Sequence, residues 1–195
     1  MKDCLTTYTG VSFDTFEPQM EMIKIEDIAH ALSMMTRANG HFPEFFSVGQ
    51  HSIQCCREAI ARNYVPEVVM ACLLHDASEA YLADITRPVK KNMTMYIQIE
   101  EQLQNMIYEK FLGFVPQGEA AELVSNIDDA SLYYEFVHFM DEKLFETEPV
   151  MMSEPTYETR PMKEVEEEFL ELFHRLYAGQ NGADNAIIST GMEKR

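Results

Sequence analysis

The chain has 195 residues, 46% of them apolar, and 15 Lys and Arg stand against 33 Asp and Glu for a formal charge of −18. That length suits one domain, 1–195, able to bury roughly 70% of its unfolded surface without staples, and the apolar fraction excludes a disordered chain. The charge excludes a surface that neutralises nucleic-acid phosphates or anionic lipid, and no apolar run reaches the length of about 18 residues that a membrane span needs.

Neither nucleic acid nor a membrane is therefore an expected partner. Met1-Lys2-Asp3-Cys4-Leu5-Thr6 offers no apolar stretch before a small-residue cleavage site, so the expected compartment is the cytoplasm. Cys4, Cys55, Cys56 and Cys72 form neither a disulfide framework nor a C-x-x-C pair and read as reduced, mostly buried thiols.

Residues 1–24 carry short apolar pieces at Val11, Phe13 and Phe16 around Gly10 and Pro18, which predicts an extended or hairpin-like arm. Ile25, Ile28, Ala29, Leu32 and Met35 then follow helical spacing, predicting a helix that ends before Asn39-Gly40. Ser47 and Gln50 make a capping-box pattern, so a second helix starts there and runs through Ile53, Cys56 and Ile60 towards Asn63. Pro66 suits the first turn of a third, whose body from Val68 to Leu74 is apolar all round and therefore central.

The segment 81–92, with Asp84, Arg87, Pro88, Lys90 and Lys91, reads as a loop of local positive charge. A long helix from about Met93 to Phe111 should stop at Gly113 and Pro116, and another over 119–146 should bury Leu123, Ile127, Ala130, Tyr134 and Val137. Pro149, Pro155 and Pro161 mark 147–161 as a connector. A terminal helix from Met162 to about Tyr177 should turn Val165, Phe169, Leu172, Phe173 and Leu176 inward and Glu164, Glu166, Glu167, Glu168 and Glu171 outward. Beyond it lies a Gly- and Asn-rich tail with one apolar patch, Ala186-Ile187-Ile188. The expected fold is an all-α bundle with a metal-binding core over 25–146.

His75-Asp76 ends the apolar third helix, and burying an imidazole beside a carboxylate is costly unless both are paired or ligate a cation. His51 can return to the same place from the antiparallel neighbour, and Asp128 comes from the later amphipathic helix. His51, His75, Asp76 and Asp128 make a mixed nitrogen and oxygen set suited to one divalent ion, with positions left for water and substrate. Manganese, cobalt, iron, nickel and zinc all fit such a set. His30 reads as structural, His174 as solvated, and His41 and His138 as residues near the site; the methionines read as core filler.

The pattern H…HD…D resembles the HD superfamily of metal-dependent phosphohydrolases. The likeness extends over Ile25-Glu26-Asp27-Ile28-Ala29-His30-Ala31-Leu32, Arg37-Ala38-Asn39-Gly40-His41, Ser47-Val48-Gly49-Gln50-His51-Ser52, Leu73-Leu74-His75-Asp76-Ala77-Ser78-Glu79-Ala80-Tyr81 and Asp84-Ile85-Thr86-Arg87-Pro88-Val89-Lys90. These stretches are similar to the branch of bacterial deoxynucleoside 5′-monophosphatases and phage deoxynucleoside triphosphate hydrolases.

The branch pattern selects Asp128 over Asp129, because Leu132 and Glu135 follow it at the expected steps. It implies an HD-domain helical bundle acting on deoxynucleotides by attack of metal-bound water, with a monophosphate favoured over a triphosphate. It further implies that Glu79 orients or deprotonates the water and that Asp84 serves as acid for the leaving oxygen, roles both carboxyls suit. Arg37 and Lys90 match its phosphate-gripping positions, and only Arg87 and Lys91 remain nearby for a triphosphate tail. The family habit suggests a homodimer.

One departure is Ala38, where relatives often carry an aromatic; Asn39 and Tyr81 are left as sugar or base contacts. Alarmone hydrolases carry HD-x-x-E-D, whereas here Ala80 follows Glu79, and cyclic-nucleotide phosphodiesterases need further histidines. The rival of another class is a non-catalytic interaction protein in which the ion staples helices together.

Overall fold

The computed structural model describes residues 4–190, with side chains described through residue 179. The arm is a hairpin, with Leu5–Thr6 (β1) paired antiparallel to Ser12–Phe13 (β2) in the register Leu5 to Phe13. It is pinned to the first helix by Asp27, whose carboxylate accepts from the Thr9 amide at 2.7 Å and hydroxyl at 2.9 Å.

The helices are α1 (Ile25–Met34), α2 (Val48–Ala61), α3 (Pro66–Leu74), α4 (Glu79–Leu82), α5 (Arg87–Lys90), α6 (Thr94–Leu112), α7 (Glu119–Met140) and α8 (Met162–Thr190). The architecture is all-α apart from the hairpin. None of the helices among the described residues is long and apolar enough to cross a membrane.

Helix α3 is the central element: Val68 through Leu74 are all buried, and α2, α6, α7 and α8 pack around it. Helix α2 begins at the expected capping box, with Ser47 Oγ accepting from the Gln50 amide at 3.1 Å. At Gly49 an added Cβ would lie 3.1 Å from both the Ser33 amide nitrogen and Val165 Cγ1. The missing side chain lets the start of α2 approach α1 and α8 closely, which fixes where His51 emerges.

Helix α1 ends at Met34, before Asn39-Gly40 as expected, because the next residues pair across the loop: Val48 N donates to Met35 O at 2.9 Å and Arg37 N to Phe46 O at 2.8 Å. Other boundaries differ from expectation. The segment 81–92 is not simply a loop, since it includes the end of α4 and all of α5. Helix α7 ends at Met140, capped by Asp141 in the left-handed region, rather than near 146. On α7 Tyr133 is buried and Tyr134 is not, because the Tyr134 hydroxyl reaches the Pro149 carbonyl at 3.0 Å. On α8 Glu166 is buried, paired with His30 and Lys163 at 3.0 Å each. Helix α8 also runs past the expected end at Tyr177, while the side chains of the patch Ala186-Ile187-Ile188 lie outside the described residues.

The 147–161 connector is held by one row of α2 side chains spaced a helical turn apart. Gln50 donates to Glu158 O at 3.0 Å, Gln54 to Thr156 O, and Arg62 to Val150 O at 2.6 Å. Between them the Glu58 carboxylate accepts from the Met152 and Ser153 amides and from Ser153 Oγ.

Candidate metal centre

Three segments bring the four expected ligands together. His51 lies in the first turns of α2, His75 and Asp76 directly follow α3, and Asp128 lies midway along α7. His75 Nδ1 is 2.8 Å from the Cys72 carbonyl, which can only accept, so Nδ1 carries a proton and Nε2 is left to take a cation or a second proton. His51 Nδ1 is 2.6 Å from Glu135 Oε1, and Arg37 Nε at 3.4 Å keeps that carboxylate an acceptor. Nε2 of His51 is therefore likewise the nitrogen turned to the cluster, open to a cation or a second proton. The two Nε2 atoms face each other at 3.1 Å, an arrangement that repels unless a cation or an added proton lies between them.

Carboxylate oxygens close in on the same point. Asp128 Oδ1 is 3.1 Å from His51 Nε2 and 3.7 Å from His75 Nε2; Asp76 Oδ2 is 3.3 Å from His75 Nε2 and 3.7 Å from His51 Nε2. Ligands held at about 2.0–2.1 Å with angles near 90–110° lie about 2.9 to 3.4 Å apart. The spans of 3.1, 3.1 and 3.3 Å fall in that window and the two of 3.7 Å lie just beyond it. Side chains at this point could thus hold a metal ion.

Electrostatics agree with that fit. Burial and Arg37 disfavour a proton on His51, but Cys55, Glu135 and Asp128 outweigh them and hold its proton affinity well above the usual range. Burial acts on His75 in the same way and is overcome by Asp76, Cys55 and Asp128. Asp128 is held well below the usual carboxylate range, its burial outweighed by both imidazoles. The cluster attracts positive charge.

Two partners were not foreseen as such. Glu135, read only as a marker downstream of Asp128, is fully buried and orients His51. Cys55 brings its Sγ to 3.6 Å from His51 Nε2, and the donor atoms of His51, Cys55 and His75 all lie within 4.8 Å of one another. The available signal was the spacing His51 to Cys55, one helical turn on a single face.

A cavity of about 660 Å³ opens beside Asp76 and Asp128 and is also lined by Arg37, Glu79, Asp84 and Lys90. Arg37 lies across its carboxylates, with Nη1 3.6 Å from Asp76 and 3.9 Å from Asp84. Glu79 is 4% exposed, and its Oε2 accepts no hydrogen bond among the described residues. Burial, with Asp76 and Asp84 nearby, pushes its carboxyl well above the usual range, and burial pushes Asp84 up too. Ala83, just before Asp84, has φ 93° and ψ 151°, a conformation a Cβ disfavours, so local strain aims Asp84 at the cavity.

Other expected residues divide. Lys90 lines the cavity, but its amine is tied to Glu100 at 2.7 Å. Arg87 is not available for a phosphate tail: it grips Asp128 at 2.8 Å and Asp129 at 2.7 Å, which leaves Asp129 facing outward and Asp128 facing the histidines. His41 lines the cavity. Tyr81 does not, being buried in a stack on Phe13, and exposed Asn39 does not either. His138 stacks on Tyr157 at 4.3 Å, away from the ligands. The cavity lining also includes the apolar side chains of Phe42, Leu132, Phe136 and Phe145.

No protein-family model matches the chain. It is 36% identical over 108 residues to the uncharacterized protein YfdR of Escherichia coli strain K12, a stretch that covers 55% of this chain and 57% of YfdR. The match thus spans little more than half the length of that relative. It is 29% identical over 188 residues to the uncharacterized protein RCAP_rcc00048 of Rhodobacter capsulatus, covering 89% of this chain and 95% of that protein.

Proposed function

We propose that the protein is a divalent-cation-dependent phosphohydrolase that releases phosphate from deoxynucleoside 5′-monophosphates. The observation that carries the metal dependence is the pair of Nε2 atoms 3.1 Å apart, flanked by two carboxylates. The substrate class rests on the resemblance to HD phosphohydrolases. When bound by His51, His75, Asp76 and Asp128, a divalent cation supplies positive charge to phosphoryl oxygens and acidifies water.

The chain's own groups supply the rest. Arg37, too far from Asp76 and Asp84 for strong hydrogen bonds, keeps donors for a phosphate oxygen. The unpartnered Oε2 of Glu79 accepts a proton from the attacking water, a task suited to a carboxyl whose proton affinity is raised. Asp84, also raised, returns a proton to the departing 5′ oxygen. The apolar part of the cavity lining takes the flat base against Phe42 and Phe136. A cytoplasmic setting suits the free thiols of Cys55, Cys56 and Cys72.

A triphosphate is the weaker reading. Its additional charges would meet a cavity where Asp76, Glu79, Asp84, Asp128 and Glu142 outnumber the cations, with Arg87 and Lys90 already engaged. The test is phosphate release from deoxynucleoside mono-, di- and triphosphates by protein loaded in turn with manganese, cobalt, iron, nickel or zinc. Monophosphate turnover is expected. Turnover confined to triphosphates overturns the substrate ranking, and turnover of none with metal bound favours an interaction protein whose ion staples helices.

A further inference from the structure

Of the buried cysteines, Cys55 alone among the described residues has its sulfur against a ring nitrogen of the histidine pair. Its Sγ is 3.6 Å from His51 Nε2 and within 4.8 Å of the donor atom of His75. A nitrogen at about 2.05 Å and a thiolate at about 2.3 Å that subtend about 110° at one ion lie about 3.6 Å apart. Cys55 is 1% exposed and does not line the cavity, so it sits on the side of the cluster away from substrate. That position suits a ligand and not a nucleophile.

We propose that Cys55 is a thiolate ligand of the metal centre, joining His51 and His75, and that it makes the site select a thiolate-binding ion such as zinc, cobalt or ferrous iron over magnesium and manganese. The inference rests on the metal centre of the proposed function but not on any substrate. Hard ions gain little from sulfur, whereas the borderline ions bind it strongly. Binding displaces the thiol proton to solvent. The thiol now donates to Ser131 Oγ at 3.3 Å, and once it is a thiolate that hydroxyl can rotate and donate back. Ser131 is one turn beyond Asp128 on α7, so the same helix supplies a carboxylate ligand and a partner for the sulfur.

The test uses the full chain loaded with cobalt(II). The wild type should bind one equivalent and show a sulfur-to-cobalt charge-transfer band in the near ultraviolet. Cys55→Ser should keep cobalt and lose the band, while Cys56→Ser and Cys72→Ser keep both. Zinc affinity should fall about tenfold to a hundredfold in Cys55→Ser, with manganese affinity unchanged. X-ray absorption of the wild-type zinc protein, which needs no variant, should show one sulfur neighbour at about 2.3 Å. Bound cobalt or zinc without a sulfur signature overturns the role of Cys55 alone. Failure of the wild type to bind cobalt or zinc at all overturns the metal centre with it.

Discussion

The two ends of α2 handle buried polar groups in opposite ways. At Glu58 every demand is met: the carboxylate accepts from two backbone amides, the Ser153 hydroxyl and Arg62. Burial alone would raise its proton affinity, but those bonds outweigh burial and hold it below the usual carboxylate range. At His51, two turns earlier, two imidazole nitrogens and two carboxylates converge on one point, and nearby Glu79 keeps an oxygen unpartnered among the described residues and a raised proton affinity. A buried cluster that satisfies itself holds the fold together, whereas one left unsatisfied is shaped for something not in the chain.

Breaking the unsatisfied end should cost function before stability. Asp76→Ala should lower metal affinity by more than about a hundredfold, since even groups behind ligands contribute about tenfold to a hundredfold. Activity should vanish with it, while circular dichroism stays helical. A full metal equivalent in the variant would remove Asp76 from the ligand set. Glu79→Gln should keep the metal and lose about 10²- to 10⁴-fold in kcat. Its unfolding temperature should be unchanged or higher, because a buried carboxyl that resists ionising is replaced by a neutral isostere. Near-normal turnover with bound metal would exclude Glu79 from proton transfer.

Glu135→Gln sharpens the contrast from behind the ligand. An amide can turn either its oxygen or its nitrogen to His51 Nδ1, so the tautomer that leaves Nε2 open to a cation is no longer enforced, and metal affinity should drop about tenfold to a hundredfold. Equal affinity in wild type and variant would show that Glu135 serves packing only.

The satisfied end should behave in reverse. Glu58→Gln should leave metal content and kcat intact and lower stability by about 1–3 kcal/mol, read from denaturant midpoints. Because the folded-state value of Glu58 is depressed, its contribution is present above the unfolded value of about 4.3 and is lost as pH falls through the folded value. The variant should therefore show a flatter acid limb of stability against pH. An acid limb identical to the wild type would argue that the connector is held elsewhere.

Much of the fold was legible because it is local. The period of Ile25, Ile28, Ala29 and Leu32, the box at Ser47 and Gln50, Pro66 ahead of an apolar run, and Gly113 as a left-handed cap are all written within a few residues. Where the structure departs from the local pattern, a distant partner overrides local preference: Glu166 is inside because His30 meets it there. The row Gln50, Gln54, Glu58, Arg62 has helical spacing but no apolar content, so nothing local marks it as the face that grips the connector.

For the site, the residue types and order of His51, His75, Asp76 and Asp128 were enough to nominate a divalent-ion set, since an imidazole and a carboxylate at the end of an apolar helix need a reason to be there. Only the tertiary structure decided which nitrogens face the cluster, because that depends on a carbonyl at Cys72 and a carboxylate at Glu135 holding the other nitrogen of each ring. It also decided that Arg87 serves Asp128 and Asp129 and that Cys55 turns its sulfur to the histidines. Sequence spacing carries which face of a helix a residue occupies; the direction of a lone pair is set only when separate helices meet.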